Sequence, residues 1–131
     1  MSNLSPPNIT FLDEFKRDFK KLKKKYKTLE SDWEVFQKAF VAKYPGLLTE
    51  TYRIPLGEEA GDDPVYKVKQ FRCRCLGGGA RSGIRVIYGH DSVRNVVTFI
   101  EIYHKNQQDN HNVERIQLYL RQIQDGEHSL K

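Results

Sequence analysis

The sequence is poor in the features that mark several large classes of protein. It has two cysteines, so a disulfide scaffold is excluded. It has nine glycines and five prolines in 131 residues, far from a collagen-like or low-complexity composition. No apolar run approaches the roughly 18 residues of a membrane-spanning helix. The opening MSNLSPPNIT has neither the charged nor the apolar region of a secretory leader, so a cytoplasmic protein with no membrane role is expected. Internal repeats and linkers are missing, which leaves a single domain over 1–131, with 1–7 and 125–131 as loose tails. Cys73 and Cys75, with His90, His104, His111 and His128 scattered, lack the spacing of a structural zinc site. On one strand the two thiols share a face with poor disulfide geometry. Gly77-Gly78-Gly79 has no following Lys-Ser/Thr and opens no helix, so it is a flexible turn rather than a phosphate loop. No metal or cofactor is expected.

What is present is basic charge, unevenly placed. The net charge is +5, from 22 Lys and Arg against 17 Asp and Glu. Residues 11–27 carry eight bases against three acids, and residues 65–94 carry seven against one. The remainder is therefore net −6. Two positive blocks on an otherwise acidic chain point to a polyanionic partner.

Apolar periodicity gives an α+β chain. Phe15, Phe19, Leu22 and Tyr26 recur at helical spacing behind Asp13 as N-cap. Trp33, Phe36, Phe40 and Tyr44 do so behind a Ser31/Glu34 capping box, and Pro45-Gly46 stops that helix. Asn8 to Leu12 is a short strand or a helix entry. An acidic loop over 57–64 precedes a β-rich stretch from Val65 to Leu76. A wide glycine turn leads to strands over 84–88 and 95–103, and a last helix runs over 109–123. The expected architecture is a helical hairpin packed on a small twisted antiparallel sheet of three to four strands, with a C-terminal helix. One sheet face takes the helices and the other can stay open.

Strand alternation places candidate functional residues on that open face. If Tyr66 and Val68 face the helices, Lys67 and Lys69 project the other way, and Arg85 of the next strand joins them. Three cations on adjacent strands repel one another unless an anion sits among them, and a phosphodiester suits the place. Beyond Gln70, strict alternation turns Phe71 and Cys73 to the lysine side and Arg72 and Arg74 away, a conflict that a bulge or strong twist would resolve. The third strand ends Glu101-Ile102-Tyr103-His104-Lys105. There His104 titrates near neutrality, and Tyr103 can donate a hydrogen bond or stack on a base.

Phe15-Lys16-Arg17-Asp18-Phe19-Lys20-Lys21-Leu22, Val65-Tyr66-Lys67-Val68-Lys69, Gly83-Ile84-Arg85-Val86-Ile87-Tyr88 and Phe99-Ile100-Glu101-Ile102-Tyr103-His104-Lys105 stand in the order seen in RelE/ParE toxins. Across residues 11–124 the chain resembles that superfamily of toxin–antitoxin systems. The resemblance implies a compact α+β toxin held inactive by a cognate antitoxin, meeting operator DNA only through that complex. RelE-like members are ribosome-dependent, metal-independent endoribonucleases that cleave mRNA by attack of the RNA 2′-hydroxyl and arrest translation. Lys67 and Lys69 match the family's Lys-x-Lys, and Arg85 its Arg-x-x-Tyr strand. The RelE late arginine and C-terminal tyrosine have no match, and Tyr103-His104-Lys105 stands instead. On this reading Lys67 and Arg85 meet the phosphorane charge, Lys69 or His104 is the base, and Tyr103 orients the nucleotide. Lys20, Lys21, Lys24, Lys25, Arg72 and Lys105 would hold RNA. A ParE-like inhibitor of gyrase and a non-catalytic nucleic-acid-binding domain are the alternatives.

Overall fold

A computed structural model of the chain describes residues 5–57, 63–77, 79 and 81–129. The expected tail over 1–4 and 130–131, the acidic loop over 58–62, and Gly78 and Ala80 of the glycine turn lie outside the described residues. The elements are β1 (Asn8–Phe11), α1 (Asp13–Lys25), α2 (Leu29–Lys43), β2 (Thr51–Arg53), β3 (Val65–Val68), β4 (Ile84–Asp91), β5 (Val96–His104) and α3 (Val113–Ser129), with a 3-10 turn at Arg74–Leu76. Among the described residues, no helix is long and apolar enough to cross a membrane.

The sheet has five strands in the order β1-β5-β4-β3-β2. The expected antiparallel meander is its centre, β3-β4-β5. Two short strands extend it: β2 lies antiparallel to β3, and β1 lies parallel to β5. The sheet is therefore mixed, and larger than the sequence suggests. Neither three residues of β2 nor four of β1 are long enough to show a period.

Both helices of the hairpin lie on one face. Their stripes, including Phe15, Leu22, Trp33, Phe36 and Phe40, bury against Val86, Tyr88, Val97, Phe99 and Ile102 of the central strands. The centre of this core is aromatic. The Phe99 ring lies 4.9 Å from Trp33, 5.4 Å from Phe40 and 5.5 Å from Phe11, in edge and stacked arrangements that favour such pairs. Helix α1 begins at Asp13 with Leu12 as cap, and α2 begins at Leu29 with Thr28 as cap. The expected Asp13 cap and Ser31/Glu34 capping box do not form. Thr28 spends its hydroxyl proton on Asp32, and Ser31 Oγ donates back to the Thr28 carbonyl. Asp13 and Glu14 open α1 and Lys23, Lys24 and Lys25 close it, the arrangement that suits the helix dipole.

The other face does not stay open along its whole length. Helix α3 covers it, burying Ile116, Tyr119 and Leu120 against Val65, Ile87, Ile100 and Tyr103. Arg115 of α3 donates to the Ile100 carbonyl at 3.0 Å and to Asp18 of α1 at 2.6 Å, tying helices from opposite faces around the β5 edge. Helix α3 starts four residues later than expected and runs on to Ser129.

Strand β3 ends at Val68, so the β-rich stretch to Leu76 is mostly not strand. Lys69 N turns to the Glu50 carbonyl, and Arg74 N is captured by the buried Asp32 carboxylate at 3.0 Å. Freed from alternation, Phe71 and Cys73 enter the helix-side core. The parity conflict at Gln70 is thus resolved by termination of the strand. The bulge lies elsewhere: Ile87 pairs with Glu101 but Tyr88 pairs with Phe99, leaving Ile100 as the extra residue of β5.

A Cβ added at Gly89 would collide with the hydroxyl end of the Tyr119 side chain. Gly89→Ala is expected to destabilise the chain by about 1–3 kcal/mol, the usual cost of overpacking. Urea denaturation measures it, and a variant as stable as the wild type would show that α3 docks without this contact.

Candidate functional site

The bulge decides which β5 side chains face α3. Up to Phe99, odd-numbered residues of β5 point to the hairpin. After the extra residue the phase reverses: Ile102 enters the hairpin core, while Glu101 and Tyr103 turn toward α3. Register then lines up side chains from three strands. Lys67 stands opposite Ile87, which stands opposite Glu101, and Arg85 stands opposite Tyr103. Val65 of β3 packs on the α3 side, so Lys67, two residues on, shares that face.

Lys67, Lys69 and Arg85 come together. Lys67 is half-buried and donates to Asn110 Oδ1 at 2.6 Å. Arg85 Nη1 donates to the Lys69 carbonyl at 3.1 Å, and the Lys69 ammonium lies 5.2 Å from the Tyr52 ring centre. Among the described residues, none of the three makes an ion pair. A small cleft of about 160 Å³ lies between Glu50, Lys69, Arg81, Gly83, Arg85 and Lys105, with Arg81 paired to Glu50 at 3.3 Å.

Burial lowers the Lys67 pKa first, and the Lys69 and Arg85 charges lower it further against the pull of Glu101. Tyr103 is pushed up to about 12 by burial and by Glu101, with Arg85 opposing, so it keeps its proton at neutral pH. Glu101 is 2% exposed. It accepts from Asn112 N at 2.8 Å and Gln108 Nε2 at 2.7 Å, folding the 105–112 loop over Lys67.

His104 does not join this group. It directly follows Tyr103 and so points to the opposite face, where it is 6% exposed and stacks on Tyr26 at 5.7 Å. Its Nδ1 accepts from Asn106 N, and its Nε2 contacts the Ser82 carbonyl at 3.0 Å. Burial lowers its pKa, the Ser82 carbonyl opposes, and Lys25, Lys105 and Arg85 reinforce the lowering. Gly83, at φ +92, leaves room for this ring, since a Cβ there would lie 2.8 Å from His104 Nε2. The imidazole, a candidate base in the sequence reading, is held here between Tyr26, Ser82 and Asn106.

The expected RNA contacts divide. Lys105 lines the cleft, and Lys25 lies within electrostatic range of His104 behind it. Lys20, Lys21 and Lys24 are exposed on α1. Arg72 lies on the hairpin side, lining a groove with Asp32, Phe36 and Leu48, apart from Lys67. Arg74, beside it, is bound to Asp32 at 2.9 Å.

Sequence reasoning missed Tyr52, Asn110 and His111. Tyr52 is half exposed on β2, opposite Lys67 in register. His111 Nδ1 is buried with no hydrogen-bond partner among the described residues, and burial and Lys67 lower its pKa. The signal for the last two is the density of amides and imidazole in Asn106 to Asn112, part of which the expected helix over 109–123 absorbs. No protein-family model, curated protein or solved structure matches the chain.

Arg85→Gln removes a like charge, so the Lys67 pKa is expected to rise; Glu101→Gln removes the opposing carboxylate, so it should fall further. NMR titration of the lysine Nζ resonances checks both signs. An unmoved Lys67 in the two variants would show that these groups do not share one field.

Proposed function

We propose that the chain is the toxin of a toxin–antitoxin pair, a RelE-like endoribonuclease that cleaves mRNA on the ribosome. The observation that carries the reading is the meeting of Lys67, Lys69 and Arg85 on one sheet face, unneutralised by any described carboxylate. Such a triangle of cations suits one bent phosphodiester. In this mechanism Lys67, its ammonium already disfavoured by burial, takes the 2′-hydroxyl proton as the oxygen attacks phosphorus. Arg85 and Lys69 stabilise the charge of the phosphorane. Tyr103, which holds its proton, donates a hydrogen bond to the same centre. The exposed Tyr52 ring beside Lys69 offers a face on which a base can stack. The bond from phosphorus to the 5′-oxygen breaks, that oxygen takes a proton from solvent, and the products are a 2′,3′-cyclic phosphate and a 5′-hydroxyl end. The cognate antitoxin is the expected protein partner, and the compartment is the cytoplasm, where ribosomes and mRNA are.

Brief expression without an antitoxin, followed by mapping of RNA ends, tests this reading. Cleavage within translated messages is expected, with Arg85→Ala and Lys67→Ala abolishing both cleavage and growth arrest while circular dichroism stays unchanged. General acid–base help is worth roughly 10²–10⁴ in rate, so Lys67→Ala should lose at least that in purified ribosome assays. Intact messages with DNA damage would overturn the reading in favour of a gyrase inhibitor of the same superfamily. Harmless expression would favour a non-catalytic nucleic-acid-binding domain. Full toxicity of Arg85→Ala would remove the cleft from the mechanism.

A further inference from the structure

Cys73 and Cys75 lie on the hairpin side of the sheet and have no part in the cleft. Alternate side chains on an extended strand stand about 6.5 Å apart along the chain. Here the two sulfurs are 3.6 Å apart, because β3 has ended and the 3-10 turn at Arg74–Leu76 folds Cys75 back toward Cys73. The turn is firmly held. Asp32, 5% exposed, accepts from Arg74 N at 3.0 Å, from Arg74 Nε at 2.9 Å and from Thr28 Oγ1 at 2.6 Å. Thr28 Oγ1 in turn accepts from Cys75 N at 3.0 Å. Thr28 Oγ1 also lies 3.8 Å from Cys73 Sγ, so one hydroxyl touches both residues of the pair and the network holds the two thiols in contact.

The pair is also unequal. Cys73 is fully buried and Cys75 is exposed. We propose that the pair is a thiol-modification site, at which Cys75 accepts a mixed disulfide from an oxidised low-molecular-weight thiol and Cys73 resolves it to an intrachain disulfide. The Cys75 thiolate attacks one sulfur of the disulfide R–S–S–R, forming Cys75–S–S–R and expelling RS⁻. Cys73 then gives its proton to solvent and attacks Cys75 Sγ, expelling the second RS⁻. Two protein thiols are oxidised, and one small disulfide is reduced to two thiols.

The order follows from access and acidity. At Cys75 partial burial raises the pKa, but hydrogen bonds from Thr28, the Cys73 thiol and the Lys27 backbone outweigh it and lower the value overall. Burial pushes Cys73 up to about 11, so it is the slower thiol and acts only when a sulfur is delivered beside it. Closing the bond brings the sulfurs from 3.6 Å to roughly 2 Å, a movement within reach of side-chain rotation.

The test uses the reduced full-length chain with oxidised glutathione as probe. Intact mass should show a monomer that has lost two hydrogens and regains them with dithiothreitol. Trypsin cuts after Arg74, between the two cysteines, so the disulfide is read as two peptides held together until reduction. Cys73→Ala should stop at the glutathione adduct, and Cys75→Ser should react at least about tenfold more slowly, since the remaining thiol is buried. A wild-type chain that accumulates a stable adduct, or only interchain dimers, overturns the proposal without recourse to variants. Equal reaction of the two single variants, with both folded by circular dichroism, overturns the assigned order.

Discussion

One extra residue in β5 sets the chemistry of the whole α3 side. Without the bulge at Ile100, alternation running from Phe99 would turn Glu101 and Tyr103 into the hairpin core and bring Ile102 and His104 to the cleft. A carboxylate would then meet the aromatic cluster around Phe99, at a desolvation cost of several kcal/mol. With the bulge, Glu101 finds Asn112 N and Gln108 Nε2, and Ile102 joins Val86 in the core. The bulge also frees the Ile100 carbonyl, which Arg115 takes up together with Asp18. The position of α3 and the facing of Tyr103 therefore share one local cause.

Glu101 shows how a buried acid organises a cationic site without neutralising it. Both its oxygens are occupied by the 108–112 segment, so it forms no direct ion pair with Lys67. Its charge still supports the Lys67 ammonium, against burial, Lys69 and Arg85. The balance leaves a lysine that gives up its proton more readily than a surface lysine, beside a tyrosine that holds on to its own. Groups whose affinities for a proton are driven apart by their surroundings are suited to opposite transfer roles.

Much of this was legible in the residues. The 4-3-4 and 3-4-4 aromatic spacings located α1 and α2, and alternation around Val68 and Val86 placed Lys67 and Arg85 on a shared face. What escaped was set by tertiary context. The phase of β5 depends on a bulge that its unbroken apolar run does not mark, so Tyr103 and His104 read as neighbours when they face opposite ways. Phe71, Arg72 and Cys73 look like strand residues, but a backbone N–H bond to Asp32 of α2, forty-two positions earlier in the chain, takes Arg74 out of the sheet. Strands as short as β1 and β2 exist only because β5 and β3 are there to pair with.

The parallel pairing of β1 with β5 has a consequence for how the chain is made. Thr10 and Thr98 meet across eighty-eight positions, so the first strand to leave the ribosome is among the last to find its place. The two-helix unit can collapse early through local contacts, whereas β1 waits with its edge unsatisfied until β5 has emerged. Its four residues are short for such a delay to be hazardous, because so brief a segment gives a stray strand little to grip.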